Sequence, residues 1–373
     1  MRTDICDTFG IEYPIFAFSH CRDVVAEVSR AGGMGVLGAV GLSPRRLEIA
    51  LDWIDEHVDG HPYGVDVIMP ARSADTGERD LRKQRVDLTS MIPDGHVRFV
   101  EEVLDRHGVP PLPDEPRGPG QVLGTGASTF PLLDVALAHP TALVVNALGP
   151  PPPEVLESAH AQGVKVGALA GSVQQAVRHR NAGVDLVVAQ GTEAGGHTGD
   201  VATMVLVPEV VDAVGPLPVL AAGGIGTGRQ IAAALALGAS GVWTGSLWLT
   251  VAESDTSPMV VDKLLAASSR DTVRSRSITG KPVRQLRTAW TEAWDAPDAP
   301  QPLTWPLQTM LTGPALARIE RARCTELAGT PVGQIVGRMT SVRTARQVMF
   351  DLVDEFVDAA RRVGDLAGDP TTT

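Results

Sequence analysis

Residues 217–246 read LPVLAAGGIGTGRQIAAALALGASGVWTGS. A short apolar run, Leu217 to Ala222, ends in a glycine pair. A helical pattern follows, with Ile231, Ala234 and Leu235 on one face and Gly238 as a natural stop. A second apolar run, Ser240 to Gly245, completes the unit. Strand, glycine loop, helix, strand is the repeat of a parallel α/β fold. Continuous rather than alternating apolar runs suit strands buried on both faces.

Six more runs of this kind lie upstream: Pro14 to Phe18, Met34 to Ala39, Tyr63 to Met69, Ala142 to Ala147, Val164 to Leu169 and Val184 to Ala189. Helical patterns separate them. In SVQQAVRHRNAG (172–183), Ser172 suits an N-cap, Ala176 and Val177 form an apolar stripe, and Gly183 ends the helix. Eight strands alternating with helices predict a (β/α)8 TIM barrel. An open doubly wound sheet shares the alternation, because strand count alone does not prove closure.

Two stretches break the rhythm. Residues 70–120 are long for one βα connection. They hold a charged run (ERDLRKQR, 78–85), an amphipathic helix around His96–His107 and a Pro-rich stretch (VPPLPDEPRGPG, 109–120). The run reads as a solvated surface, and the stretch also suits a lid. The second break follows residue 253. Three of the six tryptophans (Trp290, Trp294, Trp305) gather there beside DAPDAPQPLTWP. The expected organisation is a barrel over 1–253, a smaller C-terminal capping subdomain over 254–334, and a last helix within 335–365 that docks back on the barrel. The terminal DPTTT reads as a frayed tail.

Composition narrows the function. The 373 residues are 43% hydrophobic, 20% charged and 4% aromatic, which is enough apolar material for a sizeable core. The formal net charge of −12 disfavours nucleic acid or an anionic membrane as partner. Three cysteines do not make a disulfide framework, and the nine scattered histidines lack metal-ligand spacing. No apolar run approaches the roughly 20 residues of a membrane span. The first ten residues, MRTDICDTFG, carry no apolar signal core. The expectation is a cytoplasmic enzyme without metal, acting on a small molecule.

The loop after the sixth strand reads Ala189-Gln-Gly-Thr-Glu-Ala-Gly-Gly-His-Thr-Gly199. It stands at a strand C-terminus, where barrels carry their catalytic groups. Its glycines permit a sharp turn and close approach to a flat ligand. Most isolated loop histidines cap helices or bond backbone; the glycine frame and strand-end position favour a general base for His197 instead. Gly223 and Gly224 after the seventh strand, with Gly245 and Ser246 after the eighth, form the pair of loops that often binds phosphate through backbone N–H groups. The first strand ends in Ala17-Phe18-Ser19-His20-Cys21, where backbone can run along a cofactor ring. The chain has neither a Gx4GK[ST] loop nor a GxSxG elbow.

These motifs resemble the nitronate monooxygenase (2-nitropropane dioxygenase-like) family of FMN-binding TIM barrels. The likeness rests on AQGTEAGGHTG, on residues 217–246, on PIFAFSHCRDVVAEVSRAGGMGVLG near the start, on HTGDVATMVLVPEVVDAV, and on the late GQIVGRM. The EAGGH block is shared with FMN-dependent enoyl-acyl carrier protein reductases. The resemblance implies that His197 abstracts a proton. It implies an FMN-phosphate site at Gly223, Gly224, Gly245 and Ser246, with Ala222 beside it. Gln190, Gly195 and Gly196 would lie beside the flavin, and Ala17 and Phe18 on the strand passing the ring. Three positions depart from the family pattern. Ala17-Phe18-Ser19-His20 replaces a Pro-Met-Ala-Gly-like stretch, Asp66 stands where an Asn often faces the flavin, and Asn146-Ala147-Leu148-Gly149-Pro150 replaces SFxFGxP. An ionised carboxylate there would disfavour an anionic reduced ring. His20 and Asn146 are substrate-side candidates.

The expected function is FMN-dependent oxidation of a nitroalkane or nitronate to a carbonyl compound and nitrite with O2. Alternatives are an NAD(P)H-dependent flavin reductase of an enoyl thioester or quinone, and a non-catalytic flavin-binding protein. An IMP-dehydrogenase-like barrel shares the phosphate loops but needs a catalytic-cysteine loop that Cys21 does not supply. Barrels of this type commonly form homo-oligomers.

Overall fold

The computed structural model describes residues 1–69, 88–111 and 130–367. The charged run at 78–85, most of the Pro-rich stretch and the DPTTT tail lie outside the described residues.

Eight parallel strands close into a barrel. They are β1 (Ile15–Ser19), β2 (Met34–Gly38), β3 (Tyr63–Val67), β4 (Leu143–Asn146), β5 (Lys165–Ala170), β6 (Leu186–Gln190), β8 (Val219–Ala222) and β9 (Gly241–Thr244). The predicted strands are these eight. Closure comes from β1 pairing with β9, Ala17 opposite Thr244. A two-residue strand, β7 (Gly196–His197), interrupts the numbering and belongs elsewhere.

Side chains alternate across the barrel wall. Phe16, Met34, Val36, Val145, Val188, Leu220 and Trp243 pack inward as one apolar cluster. Helix α1 (Asp4–Phe9) adds Ile5, Cys6 and Phe9 to that cluster, with Phe9 edge-on to Phe16. The opposite faces of the strands pack on the outer helices in a larger cluster that includes Ile15, Ala17, Val65 and Val187.

The outer helices are α2 (Arg22–Arg30), α3 (Pro44–His57), α5 (Phe130–Ala138), α6 (Pro153–Ala161), α7 (Val173–Ala182), α8 (Thr203–Val214) and α9 (Gly228–Ala236). Ser172 and Thr227 cap α7 and α9, each accepting from the backbone N–H three residues on. The last helix, α13 (Ala345–Ala367), docks on the barrel across α9. The crossing is so close that a Cβ at Gly228 would collide with the backbone of Phe356. Glu355 accepts a hydrogen bond from Gly228 N at 3.0 Å at the same point.

A second apolar cluster stands over the barrel's C-terminal face. It joins α10 (Pro258–Ala266), α11 (Ala289–Asp295) and α12 (Leu307–Arg321) around Trp290, Trp294 and Leu311. Helix α4 (Asp94–Arg106) contributes Val100, Val103 and Leu104 to this cluster. The Arg318 guanidinium fastens α4 there, with Nη1 2.7 and 2.8 Å from the two Glu101 carboxylate oxygens. The cap also contains β10 (Thr272–Ser275) and β11 (Val283–Leu286), which pair antiparallel. Strand β7 is the third member of that sheet: His197 lies opposite Val283, and Gly196 opposite Arg284.

Among the described residues no helix is long and apolar enough to cross a membrane.

Candidate active site

Three loops at the strand C-termini converge. After β8 the chain turns through Gly223 (φ +97°) and Gly224 (φ +68°), both in the left-handed region that a side chain would strain. Among the described residues neither glycine N–H has a protein acceptor. Gly226 N, by contrast, donates to Gln230 Oε1 at 2.9 Å. Helix α9 starts directly behind, so its N-terminal partial positive charge adds to the two free donors.

The loop after β6 lies against this turn. A Cβ on Gly223 would come within 3.0 Å of Gly191 O and 3.2 Å of Ala194 N. The Glu193 carboxylate accepts from Thr203 N at 3.0 Å and from the Thr203 hydroxyl at 2.8 Å, pinning the loop to the start of α8. Glu193 O accepts from Gln334 N at 2.9 Å. Gly333 N donates to Ser246 Oγ at 2.8 Å. A Cβ on Gly195 would lie 2.8 Å from the backbone of Val332 and Gly333. Segment 332–334 thus ties the loop after β6 to the loop after β9.

His197 sits at the open rim, with Nε2 2.9 Å from Thr279 Oγ1. Its pKa is lowered from 6.5, first by loss of solvation and then by the charge of Lys281. The ring keeps accessible surface, yet protein surrounds it on the cap side; a cleft can lower the local dielectric while remaining open.

Across the mouth, Phe18 points inward at the end of β1. It meets Trp243 at 6.1 Å in a stacked arrangement and His20 edge-on at 5.1 Å. The Phe18 ring is the nearest atom set in front of Gly245, 3.9 Å from where a Cβ would stand. His20 is exposed, with Nδ1 2.9 Å from Gly38 O. Ala17 packs outward against the helices, so only its backbone borders the mouth. Ala222, paired with Gln190, belongs to the inner cluster.

Asp66 is the neighbour of Gly38 and Val145 in the sheet. Tyr63, Val65 and Val67 of the same strand face the helices, so Asp66 faces the barrel interior. It is 3% exposed and its Oδ1 has no hydrogen-bond partner. Burial alone pushes its pKa up to about 8. Asn146 is the opposite case. Its amide oxygen accepts from Met69 N and Leu148 N, and its amide nitrogen reaches the carbonyls of Met69, Leu148 and Gly149. It holds two loop ends together and has no group left for a ligand.

The structure therefore gathers Phe18, Gln190, Gly195, Gly223, Gly224, Gly245 and Ser246 around one mouth, with Gly196 and His197 in the sheet above and Asp66 in the barrel interior near the end of β3. Sequence reasoning missed Glu193, Thr203, Thr279 and Gly333. The GQIVGRM segment carried the signal for Gly333, since a glycine before a polar loop residue marks close backbone approach.

The residues suit a flat, phosphorylated ring system. Among the described residues the two glycine N–H groups have no acceptor, only the Phe18 ring comes within 4 Å of a Cβ at Gly245, and a buried carboxyl oxygen is unpartnered. The family model described as nitronate monooxygenase matches residues 2–355. The chain belongs to this family. A monooxygenase-assigned protein of Mycobacterium tuberculosis, Rv1533, is 57% identical over 99% of both chains. A nitroalkane oxidase from Streptomyces ansochromogenes superposes with a TM-score of 0.79 at 25% identity, covering 96% of this chain and 99% of that one. FabK from Thermotoga maritima gives 0.74 at 26% identity, over 98% and 99%. As a nitronate monooxygenase family member the chain is an oxidoreductase of the flavin TIM-barrel kind, which sets aside the non-catalytic alternative.

Proposed function

We propose that this protein is an FMN-dependent oxidoreductase of the nitronate monooxygenase type, converting a nitroalkane or nitronate to a carbonyl compound and nitrite with O2 as co-substrate. The observation that carries the reading is the donor pair at Gly223 and Gly224, set against the loop that ends in His197. Gly223 and Gly224 N–H, with the start of α9 and the Ser246 loop, would hold the FMN phosphate. Phe18, Gln190 and Gly195 would border the ring. When bound, the flavin supplies an acceptor for two electrons from the substrate.

His197 removes the proton α to the nitro group. Its lowered pKa keeps the imidazole neutral near pH 7, as a base requires. The hydrogen bond with Thr279 orients the ring. The cap over the C-terminal face limits water around the reacting carbon.

Anaerobic mixing of the purified holoprotein with nitroalkanes and their nitronates, at several chain lengths, tests this. Bleaching of the flavin is expected; a flavin that stays oxidised with all of them overturns the substrate assignment. The similarity to FabK favours a second reading, an NAD(P)H-dependent flavin reductase of an enoyl thioester or quinone. Fast anaerobic bleaching by NADH or NADPH, with none by nitroalkanes, selects it.

A further inference from the structure

Asp66 is a buried acid whose Oδ1 has no hydrogen-bond partner among the described residues. Strand β2 beside it carries no ionisable side chain, and neither does β4. The inner cluster facing it from the other strands is apolar. The ionisable ring brought toward this edge from β1 is His20, and its Nδ1 is engaged with Gly38 O. Among the described residues no Lys or Arg forms an ion pair with Asp66. An ionised carboxylate in such a place loses its hydration and gains no partner among the described residues, so holding a proton is the favoured state. A neutral carboxyl is also a donor, and this one stands in the barrel interior at the C-terminal end of β3, opposite Gly38 at the end of β2.

We propose that Asp66 is a neutral carboxylic acid that donates a hydrogen bond to a ring acceptor of the bound flavin, and that its ionisation releases the flavin. The inference rests on the flavin site argued above. An asparagine in this place would donate at every pH. An aspartic acid donates only while protonated, so this chain's hold on its cofactor becomes a function of pH. Once Asp66 ionises, its negative charge would oppose any negative charge on the ring.

The test is equilibrium binding of FMN to the flavin-free protein, followed by flavin fluorescence between pH 6 and 9.5. Wild type is expected to lose affinity above about pH 8, approaching tenfold per unit for one linked proton. Asp66→Asn is expected to match wild type at pH 6 and to stay within about threefold of that value up to pH 9.5. Wild-type affinity that ignores pH, or falls equally in Asp66→Asn, overturns the proposal. Infrared difference spectra of wild type alone give a second measurement that needs no variant. A neutral-carboxyl stretch should be present at pH 6.5 and move to lower frequency when FMN binds; an unmoved or absent band overturns the proposal. Wild type that binds no FMN at any pH overturns the flavin site as well, which separates the two failures.

Discussion

Thr279 Oγ1 lies 2.9 Å from Nε2 of His197, and Lys281 stands two residues further along the same loop. Lost solvation and then the Lys281 charge both disfavour the imidazolium. The acid limb of the kcat/KM profile should therefore have its midpoint below 6.5, the ordinary histidine value. Lys281→Met should move that midpoint upward; an unchanged midpoint removes Lys281 from the account. His197→Ala should lower kcat by about 10² or more, the usual worth of a general base, with flavin absorbance retained.

The acid in β3 makes a stability prediction with a definite sign. Its folded pKa of about 8 stands above the ordinary 3.8, so the folded state holds its proton more tightly than the unfolded chain. Stability from this group is complete below pH 4 and is lost as pH rises to about 8. Asp66→Asn removes that loss. The flavin-free variant should melt slightly above wild type near pH 4.5 and progressively further above it toward pH 8. The ceiling on the gain is about 6 kcal/mol, from 1.4 kcal/mol per unit. Parallel melting curves across pH would refute a neutral Asp66.

Two glycines should fail differently. Alanine at Gly224 meets the Glu193 side chain at ordinary contact distance, Cβ at 3.4 Å being nearest, so its cost is the strained φ of +68°, about 1–2 kcal/mol. Relaxation of that turn misaims its N–H groups, and FMN affinity should drop at least tenfold with a small change in Tm. Alanine at Gly333 would place a Cβ 2.6 Å from Glu193 O. Backbone must shift there, at about 1–3 kcal/mol, so Tm should fall by several degrees. Calorimetry beside a flavin titration distinguishes the two.

Removing the guanidinium of Arg318 should loosen α4 from the cap. The Arg318 side chain is 9% exposed and its Glu101 partner 49%, so the pair is screened on one side only. Arg318 also donates to the carbonyls of Pro110 and Val109. Arg318→Ala should cost about 1–3 kcal/mol. Hydrogen exchange should rise first in residues 94–106. Uniform exchange along the chain would show that the clasp is not local.

The barrel was legible because parallel strands buried on both faces write themselves as short apolar runs, and because Ser172, Gly183, Thr227 and Gly238 punctuate the helices. The glycine turn after β8 was legible for a related reason: Gly223 and Gly224 are glycines that the backbone angles require. What escaped was long-range. Strand β7 has two residues and no periodicity, and its partner Val283 lies far along the chain. Nothing local in Thr279 or Lys281 marks them as neighbours of a histidine in another segment. Glu193 reads as a surface carboxylate until Thr203 is placed against it. Helix α4 has a clear apolar stripe, but a stripe does not say whether it packs on the barrel or on the cap.

The pairing of Gly196–His197 with β11 bears on how such enzymes can be re-engineered. The cap strands and the ring proposed to take a proton are not separate modules. A graft that exchanges residues 272–286 for those of a relative also replaces the template that sets the backbone of His197. Chimeras in this fold should therefore be cut so that 196–197 and 283–284 travel together. A library that varies the cap strands alone will be sampling base geometry whether or not that was intended.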